Sequence, residues 1–95
     1  MISASIEQPN RNAARCRVRH GRVFHSVELI NVSFGSITII FSGKLDPGTR
    51  VEVFVPDFPP KTALVAQSRD ERMDLTFEHP IAWSDLTAWC AAARR

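Results

Sequence analysis

From Cys16 to Phe77 the chain is a series of short runs in which apolar and polar residues alternate. Each run is closed by residues that favour turns, a pattern that predicts strands joined by tight connections. Cys16 to His20 forms the first run, with His20-Gly21 as its connection. Arg22 to Asn31 forms the second, with Val23, Val27 and Leu29 on one face and Phe24, Ile30 and Val32 on the other. Apolar groups on both faces predict a central or partly covered strand. From Ser36 to Phe41 the alternation puts Ile37, Ile39 and Phe41 together, and from Arg50 to Val55 it puts Val51, Val53 and Val55 together. Between these two runs lies "LDPG", in which proline sets φ at the first corner of a turn and glycine accepts a positive φ at the second. "PDFPP" ends the fourth run, since proline has no N–H for a ladder. Thr62 to Gln67 is a fifth run and "SRDER" a polar hairpin tip. Met73, Leu75 and Phe77 form the apolar side of the sixth.

After Pro80 the period changes from two to that of a helix. Leu86, Trp89, Cys90 and Ala93 make one apolar stripe, with Ser84 placed as an N-cap and Asp85 in the first turn. Arg94 and Arg95 suit the negative end of the helix dipole. Trp83 and Trp89 are expected to hold this helix against the sheet. Residues 1–10 show no sustained period and read as a flexible tail, leaving 11–95 as one domain. The fold class expected from this plan is mainly β: a six-stranded antiparallel barrel with a C-terminal α-helix.

Composition narrows the function classes. The chain has 95 residues, 44% apolar and 23% charged, with a formal net charge of +2, all ordinary for a small globular domain. No apolar run is long enough to span a bilayer, and the N-terminus lacks the basic and apolar segments of a secretory signal. A cytoplasmic protein without membrane insertion is the expectation. Cys16 and Cys90 read as structural thiols, and His20, His25 and His79 are too scattered for a metal site. No nucleophile elbow, phosphate loop or dinucleotide fingerprint is present, so neither enzymatic activity nor a cofactor is expected.

Two stretches stand apart. "RNAARCRVRHGRVF", residues 11–24, gathers Arg11, Arg15, Arg17, Arg19 and Arg22 with no acid among them. Arg15, Arg17 and Arg19 alternate, as on the solvated face of a strand. Arg11 precedes that strand, where a cation attracts phosphate or grips the edge of guanine. "NVSFGS", residues 31–36, interrupts two apolar runs. It reads as a plain turn, or as a contact loop in which Asn31 offers an amide, Ser33 a hydroxyl, and Gly35 room for close approach. Nucleic acid is disfavoured as a partner, because the strands offer no evident exposed aromatic platform and the chain has no tyrosine.

Taken in order, "RNAAR" and "NVSFGS" resemble the signature of the PilZ domains, bacterial receptors for cyclic di-GMP. That signature is Arg-x-x-x-Arg ahead of a barrel, then Asp/Asn-x-Ser-x-x-Gly at the end of an early strand. The resemblance runs from about Arg11 to Trp89 and takes in "DPGTRVEVFV" and the closing "LTFEHP" before a helix. It implies a six-stranded PilZ-type barrel with a C-terminal helix. It also implies that Arg11 and Arg15 hold phosphates and guanine edges, that Asn31 and Ser33 hold a guanine, and that Gly35 and Ser36 line the approach. Arg15 and Arg19 share the same spacing as Arg11 and Arg15, the preferred pair.

Two departures from the signature bear on function. Position 36 carries serine where the signature ends in glycine, and a left-handed backbone there would cost a serine about 1–2 kcal/mol. Only 15 residues separate Arg15 from Asn31, a short interval for the family. The function expected is a cyclic di-GMP receptor whose N-terminal arm moves on binding and signals to an unidentified effector protein. The alternative is a degenerate PilZ-like adaptor that binds protein and not nucleotide.

Overall fold

The structure, a computed structural model, describes residues 14–94, so residues 1–10 and Arg11 lie outside the described residues, as does Arg95. Six strands follow one another: β1 (Arg15–His20), β2 (Val23–Val32), β3 (Ser36–Ile40), β4 (Arg50–Phe54), β5 (Lys61–Arg69) and β6 (Arg72–Phe77). A 3-10 turn, Trp83–Asp85, leads into the helix α1 (Leu86–Ala92). All neighbouring strands are antiparallel, and the order β1-β2-β3-β6-β5-β4 closes on itself through β1 and β4. The chain is thus a closed six-stranded antiparallel barrel with one short C-terminal helix, the architecture expected from the sequence.

Alternation explains the interior. Cys16 and Val18, Val27 and Leu29, Ile37 and Ile39, Val51 and Val53, Ala63 and Val65, and Met73 and Leu75 are all buried, two from each strand. Mid-sized branched side chains fill a barrel this narrow without leaving a channel. No buried side-chain nitrogen or oxygen lacks a partner among the described residues.

Simple alternation fails at two places. The β2–β3 register pairs Leu29 with Ile39 but Asn31 with Thr38, leaving Ile30 as an extra residue. The β5–β6 register pairs Val65 with Leu75 but Gln67 with Asp74, leaving Ala66 as an extra residue. Each bulge reverses the side-chain phase beyond it. Val32, opposite Ile37, therefore turns inward and packs on the core. The sequence expectation had placed it with Phe24 and Ile30 on the other face. Asn31, opposite Thr38, turns outward.

The turns follow their residues. In "LDPG" the Thr49 amide donates to the Asp46 carbonyl at 3.1 Å, and Gly48 has φ of 89°. That positive φ is what glycine supplies at the second corner of such a turn. The β5–β6 hairpin turns through Asp70 and Glu71 at φ of 47° and 66°. Both corners are left-handed, as a two-residue hairpin requires.

The helix closes the core. Trp89, Ala92 and Ala93 are buried, and the Trp89 ring meets Phe77 edge-on at 5.9 Å. The Arg15 amide donates to the Ala93 carbonyl at 2.7 Å, joining the start of β1 to the end of α1. The helix end differs from the sequence expectation in two respects. Trp83 is 80% exposed and does not hold the helix; Trp89 alone does. Ser84 lies inside the 3-10 turn, and Asp85 takes the N-cap position without a side-chain capping bond. The entry turn instead closes by the Asp85 amide donating to the Ala82 carbonyl at 2.9 Å.

Two outcomes follow from this packing. Trp89→Ala should destabilise the domain by about 3–5 kcal/mol, enough to unfold a small barrel, whereas Trp83→Ala should change stability by no more than about 0.5 kcal/mol. Urea melts followed by far-UV circular dichroism measure both, with Trp89→Phe as the graded control. Burial pushes the Cys16 thiol up to about 12, against a smaller opposing effect of Arg15, while Cys90 is only half-buried. Thiol titration of the native protein at pH 8 should therefore find one fast cysteine, Cys90, and a second only after denaturation.

Candidate functional site

The residues singled out in "NVSFGS" form the β2–β3 hairpin and its approach. The Ser33 amide donates to the Ser36 carbonyl at 2.8 Å, and the Ser33 hydroxyl lies 3.2 Å from the same oxygen. The Ser33 and Ser36 hydroxyls are 2.9 Å apart, so they share a hydrogen bond. The only non-glycine residues with positive φ among the described residues are Asp57, Asp70 and Glu71. Ser36 is therefore not left-handed, and serine carries no backbone strain at that position. What serine changes is the company of the Ser33 hydroxyl. A Cβ built on Gly35 would meet nothing within 4 Å, so the space over this turn is open. The Gly35 carbonyl accepts from the Phe77 amide at 2.8 Å and the Phe34 carbonyl from the Ile81 amide at 2.7 Å, which fastens the hairpin to the end of β6 and the segment beyond it.

Asn31 owes its place to the bulge at Ile30. Simple continuation of the alternation from Val27 and Leu29 would have turned it into the core. Instead it joins an outward row that runs across four strands: Asn31 on β2, Thr38 on β3, Asp74 on β6 and Gln67 on β5. The Thr38 hydroxyl donates to Asp74 Oδ1 at 2.8 Å, and Gln67 Nε2 donates to Asp74 Oδ2 at 3.0 Å. These two hydrogen bonds, Gln67 first, hold the Asp74 carboxyl below its ordinary value of 3.8, and nearby Arg69 adds to the effect.

Arg15 opens β1 and does not precede it. Its exposed guanidinium reaches the Ser26 hydroxyl at 3.4 Å and the Ser26 carbonyl at 3.5 Å. Ser26 lies five positions before Asn31 on β2, so Arg15 is on the same outer surface but is turned along the strand and away from Asn31. Arg11 lies outside the described residues. The chain enters beside Asn31 nonetheless. The Leu29 amide donates to the Ala14 carbonyl at 2.8 Å, and Ala14 and Asn31 line one recess with Val32, Cys90 and Arg94.

The remaining arginines have distinct roles. Arg19 pairs with Glu52 across β1 and β4. Arg17 lies over the Phe24 ring with its guanidinium carbon 4.5 Å from the centroid, and Phe24 meets Phe54 at 5.6 Å. The outer face of β2, β1 and β4 thus carries an aromatic and cationic patch, where the sequence led us to expect no exposed aromatic platform. It went unseen because Phe24 and Phe54 are thirty residues apart and meet only when β1 lies between their strands. A second pair missed in the sequence is Phe34 with the exposed Trp83, their ring centroids 4.9 Å apart.

No protein-family model matches the chain, and no curated protein does. Among the described residues, no cluster of three or more histidine, cysteine, aspartate or glutamate side chains is arranged to hold a metal ion. No helix among them is long and apolar enough to cross a membrane.

The Asp74 hydrogen bonds make a pH prediction. Because its folded value is lowered, Asp74 contributes stability at pH values above 3.8, and that contribution disappears as pH falls through the folded value. NMR titration of the Asp74 carboxyl should give a midpoint below 3.8, and Gln67→Ala should move it upward. An unchanged midpoint in Gln67→Ala would remove that hydrogen bond as the cause.

Proposed function

We propose that this chain is a cyclic di-GMP receptor that passes the signal to a protein partner in the cytoplasm. The observation that carries the reading is the outward position of Asn31 beside the exposed Ser33 turn, taken with the order of the two motifs in the sequence. Asn31 is turned outward by a bulge, and Ala14, just before β1, lines a recess with it. The amide of Asn31 matches the donor and acceptor edge of a guanine, and Ser33 supplies a hydroxyl on the adjoining turn. Gly35 leaves open space for a planar base. Arg15 holds Ser26 only through long hydrogen bonds, which a phosphate oxygen displaces readily because a charge-assisted bond is stronger. Binding draws the segment before Ala14 over Asn31 and Ser33, and the altered surface is what a partner reads.

A second reading, a PilZ-like adaptor that binds protein without nucleotide, is favoured by one observation. Exposed Trp83 and Phe34 pair beside the hairpin while the Ser33 hydroxyl is already engaged by Ser36. Tryptophan is a common anchor of protein interfaces.

Calorimetric titration of the purified chain with cyclic di-GMP decides between the two. The receptor reading expects saturable binding that weakens at least tenfold in both Arg15→Ala and Asn31→Ala. Ser36→Gly, by releasing the Ser33 hydroxyl, should bind more tightly than the natural chain. Absence of heat at tens of micromolar protein would overturn the receptor reading in favour of the adaptor, and equal binding by both alanine variants would overturn the assignment of Arg15 and Asn31 to the site.

A further inference from the structure

The free end of the β5–β6 hairpin carries two cations in an unusual relation. Arg69 and Arg72 are direct cross-strand partners, and both are exposed. Like charges placed opposite each other on a sheet repel, and a hairpin normally pairs one of them with an acid. Neither does so here. The ion pairs among the described residues are Arg19 with Glu52 and Arg50 with Glu78. Asp74, the nearest acid on the outward row, has its two oxygens engaged by the neutral donors Thr38 and Gln67. Asp70 and Glu71 occupy the two corners of the turn and make no ion pair with either arginine.

These two guanidiniums do not stand apart from the motif residues. Arg69, Arg72, Asp74, Thr38, Ile30 and Asn31 line one open recess of about 460 Å³. The bulge at Ile30 turns Asn31 into it, and the bulge at Ala66 brings Gln67 level with Asp74 on the same outward row. The result is a surface with a neutral amide at one end, a hydrogen-bonded carboxylate and hydroxyl in the middle, and at the other two exposed cations that make no direct ion pair, Arg69 acting on the Asp74 carboxylate only at a distance.

Such a gradient fits a ligand that is polar and uncharged at one end and anionic at the other. Guanidinium forks suit phosphoryl oxygens, while an amide suits a base edge. We propose that Arg69 and Arg72 form an anion subsite that takes a phosphodiester of the nucleotide whose base is held at Asn31. This rests on the receptor reading above and adds to it. The phosphate grip then comes from the β5–β6 hairpin, and the ligand lies across β2, β3 and β6.

The test uses the full chain and the double variant Arg69→Gln/Arg72→Gln, titrated by calorimetry with cyclic di-GMP and cyclic di-AMP at two salt concentrations. The double variant should lose at least tenfold in affinity for cyclic di-GMP and show a weaker salt dependence. It should keep the natural preference for guanine over adenine. Asn31→Ala should do the reverse, losing that preference while keeping the salt dependence. Because removing like-charge repulsion does not threaten the hairpin, the melting temperature of the double variant should not fall; Arg69→Lys/Arg72→Lys, which keeps the charges but not the forks, should keep the salt dependence and bind more tightly than the glutamine variant. If the natural chain binds and the glutamine variant binds equally well with the same salt slope, the anion subsite is refuted and the receptor reading stands. If the natural chain binds neither dinucleotide, both fall together.

Discussion

The pairing of β1 with β4 is the constraint on which everything else depends. Without it the six strands are an open sheet whose two edges expose unpaired amides and whose valine and isoleucine faces meet water. Three residue pairs make the closure, Arg17 with Phe54, Val18 with Val53 and Arg19 with Glu52. They combine backbone hydrogen bonds, a buried valine contact and an ion pair on the outside. Closure also sets the radius. A cylinder of six strands leaves room for two buried side chains per strand, a third on β6 at Phe77, and one plug at its end, which is Trp89. The arginines of β1 are thereby given fixed neighbours: Arg19 takes Glu52, and Arg17 takes the ring of Phe24.

A narrow closed barrel forces strong twist and curvature, and this one relieves them at Ile30 and Ala66. The consequence is functional. Each bulge exchanges inside for outside, so polar residues that alternation would have turned inward reach the surface as one row. Asn31, Thr38, Asp74 and Gln67 come from four strands, and no two are adjacent in sequence. The row is held because Thr38 and Gln67 bond to Asp74 and all four residues sit on paired strands, not on a loop. Polar groups held in this way are suited to recognition, since little ordering remains to be done when a ligand arrives.

The hairpin that carries Ser33 and Ser36 is anchored differently. Its carbonyls at Phe34 and Gly35 accept from Ile81 and Phe77, tying it to the end of β6 and the segment that leads to α1. The exposed Phe34 and Trp83 lie on the two sides of that tie. A ligand resting on Asn31 and Ser33 therefore touches the element that presents the aromatic pair. Under the proposed receptor reading, this is a short physical route from the ligand to a surface that a partner protein would contact.

By itself the sequence determined the strand count, the turns and the identity of nearly every core residue. Those features are set by nearest neighbours: alternation of apolar side chains, proline and glycine at "LDPG", and the helical stripe containing Trp89. It also marked Asn31, Ser33 and the arginine-rich segment as unusual, because polar residues interrupting apolar runs stand out locally. Tertiary structure decided which way those residues turn. Asn31 faces outward because of a bulge whose only trace in sequence is an extra isoleucine. Arg15 bonds Ser26 because β1 lies beside β2, and Trp83 is exposed because a 3-10 turn directs it over Phe34. The pairing of Arg69 with Arg72, and their place beside Asn31, depend on register across four strands. Register is a long-range property, settled only when the barrel closes.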